Sequence, residues 1–471
     1  MSKLEDYRQQ IREIDQRVLT LIKDRLDIGI KLSEIKRSLH LPIIDTDAEQ
    51  AAIDNLVRTS SGLGIDISFA RQLGELLIEK TIEVQNNQRS VPTARKSKDQ
   101  ILKEIIELTQ AMLAAGNKIV RFEIGEPNFP PPQSVILELT TVFKKKKIIG
   151  YGAAAGLPEL RKKLAVELSN EHHLTIDPDQ ILITPGARFA IFATVMSFVS
   201  ELERVVIPQP AFPAYEECVL LTKGRAIPVA ASLDNNWELN LSKVEDELRK
   251  GARMIVLNSP NNPTGKVISK DKFHDIIELA HRHGTLVLSD EVYTKYVHSK
   301  APSILDEEYT NSIYVNSFSK QFGLTGWRIA YLVTSKDYAK RIRRIIHTTM
   351  TCVPEFIQRA ALIALRQGES DAERNRRSIL RKVDLTCKEL DKIDVEFYRP
   401  DGAFYVFPRS NKPNFDSVRF ATKLLKEQHV SVAPGQSFGD YPAFFRLAVS
   451  LPETQIPNAI RSIGKAVEHW S

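Results

Sequence analysis

Apolar positions divide the chain into two stretches with different periods. From Leu4 they run Leu4, Tyr7, Ile11, Ile14, Val18 and Leu21, in alternating steps of three and four. That spacing is the seam of an amphipathic helix. No glycine precedes Gly29 and no proline precedes Pro42, so the pattern predicts one helix from about Lys3 to Leu39. At 1.5 Å per residue such a helix is about 50 Å long. A helix of that length cannot bury its seam within a domain of about 90 residues, and the pattern therefore predicts a partner chain. A second helix is expected after Asp45 or Asp47, each a helix-capping residue type, through about Ser60. Gly62-Leu63-Gly64 breaks it, and a third helix is expected from near Ser68 to near Asn87. Residues 86–98 are polar and contain Pro92, which reads as a linker. The expected organisation is an all-α domain of three helices at 1–88, a linker at 89–98 and a second domain at 99–471.

In the second stretch the pattern alternates between helical and extended periods. Apolar, β-branched runs occur at Gln180–Thr184, Arg204–Ile207, Met254–Asn258, Thr285–Ser289 and Ser312–Val315, with helical segments between them. This predicts an α/β domain around a mostly parallel sheet. Toward the end, runs at Val395–Tyr398 and Ala403–Phe407 and a helix at 415–428 predict a smaller α+β subdomain.

Composition narrows the classes. Of 471 residues, 42% are hydrophobic and 26% charged, as expected of a globular protein with a sizeable core. No run approaches the roughly 18 apolar residues of a membrane span, and Met1-Ser2-Lys3-Leu4-Glu5-Asp6 lacks an apolar signal core. Cys218, Cys352 and Cys387 stand far apart, without metal-ligand spacing, and are expected as reduced thiols in a cytoplasmic protein. The net charge of +6 is dispersed, and its one dense run, Lys144 to Lys147, reads as a solvated helix end. Neither a nucleic-acid nor a membrane partner is expected, and mild positive charge suits small anionic substrates.

The chemistry centres on residues 316–331. Lys320 directly follows Ser319 and lies three residues after Ser317, with Arg328 eight residues on. A lysine amine can form an imine with the aldehyde of pyridoxal 5'-phosphate, while a hydroxyl and a guanidinium hold its phosphate. Asn258-Ser-Pro-Asn-Asn-Pro-Thr-Gly265 follows one apolar run, Asp290-Glu-Val-Tyr293 another, and Thr184-Pro-Gly-Ala-Arg-Phe-Ala190 joins a third to a helix start suited to phosphate. With Arg446, these segments resemble the class I aminotransferases of pyridoxal-phosphate fold type I over about residues 99–471. The resemblance implies pyridoxal 5'-phosphate as cofactor and assigns roles by position. Lys320 would be the imine-forming lysine and proton carrier, and Asp290 the partner of the pyridine nitrogen. Asn262 and Tyr293 would bind the ring oxygen, and Phe212 would stack on the ring. Gly186, Ala187, Ser317 and Arg328 would form the phosphate cup, which Tyr151 would reach from the other subunit of a dimer. Arg446 would grip the substrate α-carboxylate, with Gly125 close to it. Arg188 stands where one branch places a lysine for the distal carboxylate of dicarboxylic substrates. Gly152 departs from prephenate-using relatives, which often carry threonine there.

Over about residues 4–88 the chain resembles the all-helical chorismate mutases. The matched residues are Arg8, Arg25, Lys36, Asp45, Glu49, Thr81 and Gln85. At about 100° per residue, Arg25 and Lys36 fall within about 20° of each other and about 16 Å apart along one helix face. Arg8 lies about 100° from Arg25 and so faces elsewhere, as for a neighbouring chain's pocket. The resemblance implies an intertwined dimer in which Arg8 and Arg25 grip the carboxylates of chorismate. Lys36 and Gln85 would donate to the ether oxygen, Glu49 would hold the hydroxyl, and Asp45 and Thr81 would line the site. Ala48 stands where that family commonly has arginine.

Together the two resemblances imply a homodimeric bifunctional enzyme of aromatic amino-acid biosynthesis. It would convert chorismate to prephenate, and transaminate prephenate or an aromatic keto acid with aspartate or glutamate as donor. A second reading keeps an aspartate or aromatic aminotransferase and makes the N-terminal helices a regulatory or dimerising module. A third, a DNA-binding regulator with an aminotransferase-like sensor, conflicts with one very long helix lacking a basic recognition surface.

Overall fold

The computed structural model describes residues 3–38, 46–87, 97–145 and 150–470. Asp45, residues 88–96 of the expected linker, and Lys146 and Lys147 lie outside the described residues, as do the side chains of Lys36, Ala48 and Gln85. The chain folds as two compact units, Met1–Lys96 and Ser97–Ser471.

The first unit is three helices: α1 (Lys3–Ser38), α2 (Thr46–Gly62) and α3 (Ile67–Asn87). α1 ends within one residue of its expected limit, because nothing before Pro42 interrupts its seam. Gly64 takes a left-handed φ of 68° between α2 and α3, and Asp66 accepts from the backbone N–H of Phe69 at 2.9 Å to start α3. α3 packs on both α1 and α2. The seam residues Tyr7, Ile11, Ile14, Val18 and Leu21 remain exposed in the single chain.

The second unit starts with α4 (Lys98–Ala114), within the stretch expected as linker. The hydroxyl of Ser97 accepts from the N–H of Gln100, and the Gln100 amide oxygen accepts from the N–H of Ser97. This reciprocal cap fixes the helix start just before the expected domain boundary.

A seven-stranded sheet follows. Its strands are β1 (Ile181–Thr184), β2 (Arg204–Gln209), β3 (Arg225–Ala230), β4 (Met254–Asn258), β5 (Leu286–Asp290), β6 (Ser312–Ser317) and β7 (Ala330–Thr334). They lie in the order β1-β7-β6-β5-β4-β2-β3, parallel except for β7, which is antiparallel to both neighbours. Strand alternation sends Ile255 and Leu257 to one apolar core and Met254 and Val256 to the other, so both faces of the sheet are buried. Sequence periodicity did not reveal β3 or β7. β3 is an edge strand, mostly half-exposed, and Pro228 stands in the middle of its apolar run and breaks the strand signal. β7 directly follows the Lys320 loop, whose chemistry masked its extended start. A third core gathers Phe404, Tyr405, Phe420 and Phe445 around short strands and helices of the C-terminal subdomain. The expected helix there runs Ser417–Gln428, while the expected strands shrink to Val395–Glu396 and Tyr405–Val406.

Candidate active sites

The C-terminal ends of the parallel strands gather the first site, at the edge where open α/β sheets bind ligands. Strand register sets Asn258, the last residue of β4, beside Asp290, the last residue of β5. The Asn258 amide donates to the backbone oxygen of Asp290 at 2.9 Å and accepts from the N–H of Asn262 at 2.8 Å. One side chain thus fixes two of the expected site residues. Ser317 ends β6 and caps the single turn Phe318–Gln321 that carries Lys320, its hydroxyl accepting from the N–H of Ser319 at 3.0 Å. Gly186 precedes helix α5 (Ala187–Phe198) with φ 95°, and a Cβ there would lie 2.3 Å from the Arg328 guanidinium. Only glycine permits both that conformation and that approach. Arg328 itself has φ 56°, and its guanidinium donates to the Thr325 carbonyl at 2.9 Å.

These elements surround a cavity of about 210 Å³ lined by Ala187, Arg188, Phe212, Asn262, Asp290, Tyr293, Ser317, Lys320 and Arg328, all expected site residues. Tyr215, Ser319 and Thr325 line it too. Asp290 is buried, and burial raises its carboxyl to a pKa of about 6 despite a 2.7 Å hydrogen bond from the Tyr215 hydroxyl. Its other oxygen, Oδ1, is buried without a partner. Lys320 is pushed down to about 8, chiefly by burial, and its ammonium donates to the Gly125 carbonyl at 2.6 Å. The Tyr293 and Tyr405 hydroxyls share a 2.9 Å hydrogen bond. Arg446 is buried over the rings of Tyr405 and Phe438, 4.9 and 5.0 Å from their centroids. It donates to the Asn262 side-chain oxygen at 3.2 Å and to the Glu123 carbonyl, and its Nε is buried without a partner. A Cβ on Gly125 would lie 2.3 Å from the Tyr405 hydroxyl, so the backbone can approach here only as glycine.

The Asp290 Oδ1 is buried without a side-chain partner and faces the cavity residues, open to a donor on a bound group. An aldehyde-reactive amine stands in the same cavity, and a glycine-started helix and an arginine border it. This donor and acceptor set fits pyridoxal 5'-phosphate. Arg188 is half-exposed at the cavity, donating to Asp99 at 3.3 Å with its guanidinium 5.0 Å from the Phe212 ring centroid. Tyr151 is 91% exposed and does not line its own chain's cavity. Tyr215, Tyr405, Glu123 and Thr325 are the partners that sequence reasoning missed. Tyr215 lies only three residues after Phe212, but no spacing signals its reach to Asp290, 75 positions on.

The second site lies in the three-helix unit. Arg25 is half-buried between α1 and α3, and burial lowers its pKa from the ordinary arginine value. Its guanidinium donates to the Leu77 carbonyl at 2.8 Å and to the Thr81 hydroxyl, which donates onward to the Leu77 carbonyl at 2.7 Å. Glu49 is half-buried on α2. The single chain does not bring Arg8 to this group. Arg8 is exposed and pairs with Glu5 at 3.4 Å, about 25 Å along α1 from Arg25. Lys36 and Gln85 lie on α1 and α3.

Among the described residues no cluster of His, Cys, Asp and Glu could hold a metal ion, and no helix is long and apolar enough to cross a membrane. All three cysteines are buried and free.

Sheet order and a lysine-centred cavity at the strand ends define a fold-type I transferase. Residues 117–463 match the family Aminotransferase class I and II, and the chain belongs to it. Residues 7–86 match Chorismate mutase type II. A probable aspartate/prephenate aminotransferase of Aquifex aeolicus is 33% identical over 367 residues, 75% of this chain and 92% of the relative. Aromatic-amino-acid aminotransferase 2 of Thermococcus litoralis is 33% identical over 345 residues, 72% of this chain and 87% of the relative. The crystal structure of aspartate aminotransferase from Thermotoga maritima superposes with a TM-score of 0.74 at 30% identity, covering 78% of this chain and 97% of that one. The chain is an enzyme that joins a mutase domain to an aminotransferase domain.

Proposed function

We propose that the first unit converts chorismate to prephenate and that the second transaminates prephenate, or an aromatic keto acid derived from it, with aspartate or glutamate as amino donor. The observation that carries the transamination is the cavity pairing Lys320 with Asp290, a half-buried amine and a buried carboxylate at the strand ends. Similarity to an aspartate/prephenate and to an aromatic-amino-acid aminotransferase supports the substrate class.

When bound, pyridoxal 5'-phosphate supplies an aldehyde and a protonated ring that withdraws electrons from the substrate Cα. Asp290 holds the ring nitrogen's proton through the oxygen that Tyr215 leaves free. Asn262 and Tyr293 orient the ring oxygen, and Phe212 stacks on the ring. Gly186, Ala187, Ser317 and Arg328 hold the phosphate. Tyr151, exposed on its own chain, serves the neighbouring subunit's phosphate. Arg446 binds the α-carboxylate beside Gly125. Lys320, its ammonium destabilised by burial, would take the proton from the substrate Cα and deliver it to the cofactor's aldehyde carbon on the other side of the shared nitrogen. Arg188 binds the distal carboxylate of the dicarboxylic donor, exchanging Asp99 for it.

In the first unit no nucleophile is needed, because the rearrangement is pericyclic. Arg25 and the neighbouring chain's Arg8 fix the chorismate carboxylates, with Asp45 and Thr81 at the pocket wall. Lys36 and Gln85 donate to the ether oxygen as its charge grows, and Glu49 holds the hydroxyl. The exposed seam of α1 supports a homodimer that completes this pocket. Small anions are the partners, and the enzyme works in the cytoplasm.

Two variants separate the activities. Arg25→Ala is expected to lower chorismate turnover at least about 100-fold and leave amino transfer from aspartate unchanged. Lys320→Ala is expected to abolish amino transfer and spare chorismate turnover. Absence of chorismate turnover in the wild-type protein contradicts the mutase assignment.

A further inference from the structure

The loop that follows Phe122 carries both Gly125 and Glu126, and the loop that follows Lys320 carries Thr325 and Arg328. The two loops meet twice. Gly323 (φ 66°) lies so close that a Cβ would approach the Phe129 carbonyl to 2.6 Å. The Thr325 hydroxyl donates to the Glu126 carboxylate. Thr325 also receives, on its carbonyl, the Arg328 guanidinium at 2.9 Å. Gly125, next to Glu126, receives the Lys320 ammonium at 2.6 Å. A continuous path therefore runs from the phosphate-side arginine through Thr325 and Glu126 to the reactive lysine. Thr325 lines the cofactor cavity and also a neighbouring cleft of about 560 Å³ whose wall includes Glu126, so this contact is the partition between the two spaces.

We infer that Glu126, latched by Thr325, is a positioning residue for Lys320: it holds the Gly125 carbonyl on the lysine nitrogen and supplies the carboxylate that favours a proton there. The inference rests on the aminotransferase reading and extends it. The charges facing Lys320 are Glu126 and Asp290, which favour its proton, and Arg446 and Arg328, which oppose it; the rings of Tyr293 and Phe404 complete the surroundings. Glu126 is the largest of these charge effects, second only to burial. Asp290 is committed to the ring nitrogen, so Glu126 is the carboxylate left to balance the two arginines.

The test is a pH titration of the bound cofactor's absorbance in the substrate-free holoenzyme. That absorbance reports the protonation of the lysine nitrogen and is independent of turnover. Removing a carboxylate that faces a lysine nitrogen lowers its pKa, by about one unit for a close opposite charge. Glu126→Gln is therefore expected to lower the midpoint by about one pH unit, and Thr325→Val to lower it by less, with a higher KM for the amino donor at little change in kcat. Glu126→Asp, which keeps the charge, is expected to restore the wild-type midpoint. A Glu126→Gln holoenzyme titrating at the wild-type midpoint overturns the inference. If that variant does not retain cofactor, an unmoved midpoint in Thr325→Val does so. A wild-type protein that never acquires the cofactor's absorbance overturns the aminotransferase reading beneath it, so the two failures are distinct.

Discussion

In the proposed chemistry two residues of opposite charge act together, the half-buried Lys320 and the buried Asp290. Burial makes the charged forms of both Lys320 and Asp290 costly, moving the lysine down to about 8 and the carboxyl up to about 6. The sign follows directly for Lys320: its folded pKa lies below the ordinary 10.5, so the neutral amine appears as pH rises through about 8. In the cofactor-free protein, labelling of Lys320 by an amine-reactive reagent, read by peptide mass spectrometry, is expected to reach half its maximal rate near pH 8. A midpoint near that of exposed lysines would contradict the buried site. These two residues were legible in the sequence because a lysine following closely spaced hydroxyls and an acid closing a β-branched run are local patterns. Tyr215, Tyr405 and Thr325 were not, because each acts through a hydroxyl whose partner is brought near only by the fold. The Asn258 amide, joining Asp290 to Asn262, is legible only once the register of β4 and β5 is known.

The long helix α1 and the strands β4, β5 and β6 could be read from periodicity because they are uninterrupted and their apolar period is unambiguous. The edge strand β3 and the antiparallel β7 could not: one is mostly half-exposed and interrupted by Pro228, and the other follows the Lys320 loop directly. Element ends carry much of the function. The turn from β1 into α5 works because Gly186 adopts φ 95° beside Arg328. Gly186→Ala places a Cβ in conflict with that guanidinium and with the backbone conformation, a strain of about 1–3 kcal/mol. Titration of the cofactor-free variant with pyridoxal 5'-phosphate is expected to show affinity at least about tenfold weaker. On α1 the exposed residues Tyr7, Ile11, Ile14, Val18 and Leu21 form one apolar seam. Each such side chain, when buried by a partner, contributes about 1.5–3 kcal/mol. Ile14→Asp reverses that gain and adds a charge to the seam. Chorismate turnover is expected to fall at least about tenfold, with transamination from aspartate unchanged. Equal mutase activity in the variant would show that the seam does not build the pocket.

At the scale of the whole molecule, two compact units on one chain carry two different kinds of catalysis. In the proposed function the three-helix unit works by fixed charges on a substrate that rearranges by itself, and the larger unit through the electron sink of pyridoxal 5'-phosphate and one mobile proton. What joins them in that proposal is the chemistry of the intermediate, a keto acid made by the first and taken up by the second. In that proposal Arg188, paired with Asp99 beside the cavity, takes the distal carboxylate of the dicarboxylic donor. The most direct measurement incubates the purified protein with chorismate, aspartate and pyridoxal 5'-phosphate and follows all products by liquid chromatography and mass spectrometry. Chorismate is predicted to disappear through prephenate into an aminated product, arogenate or an aromatic amino acid, with oxaloacetate formed in step. Chorismate that persists, or prephenate that accumulates without amination under either aspartate or glutamate, would contradict the account.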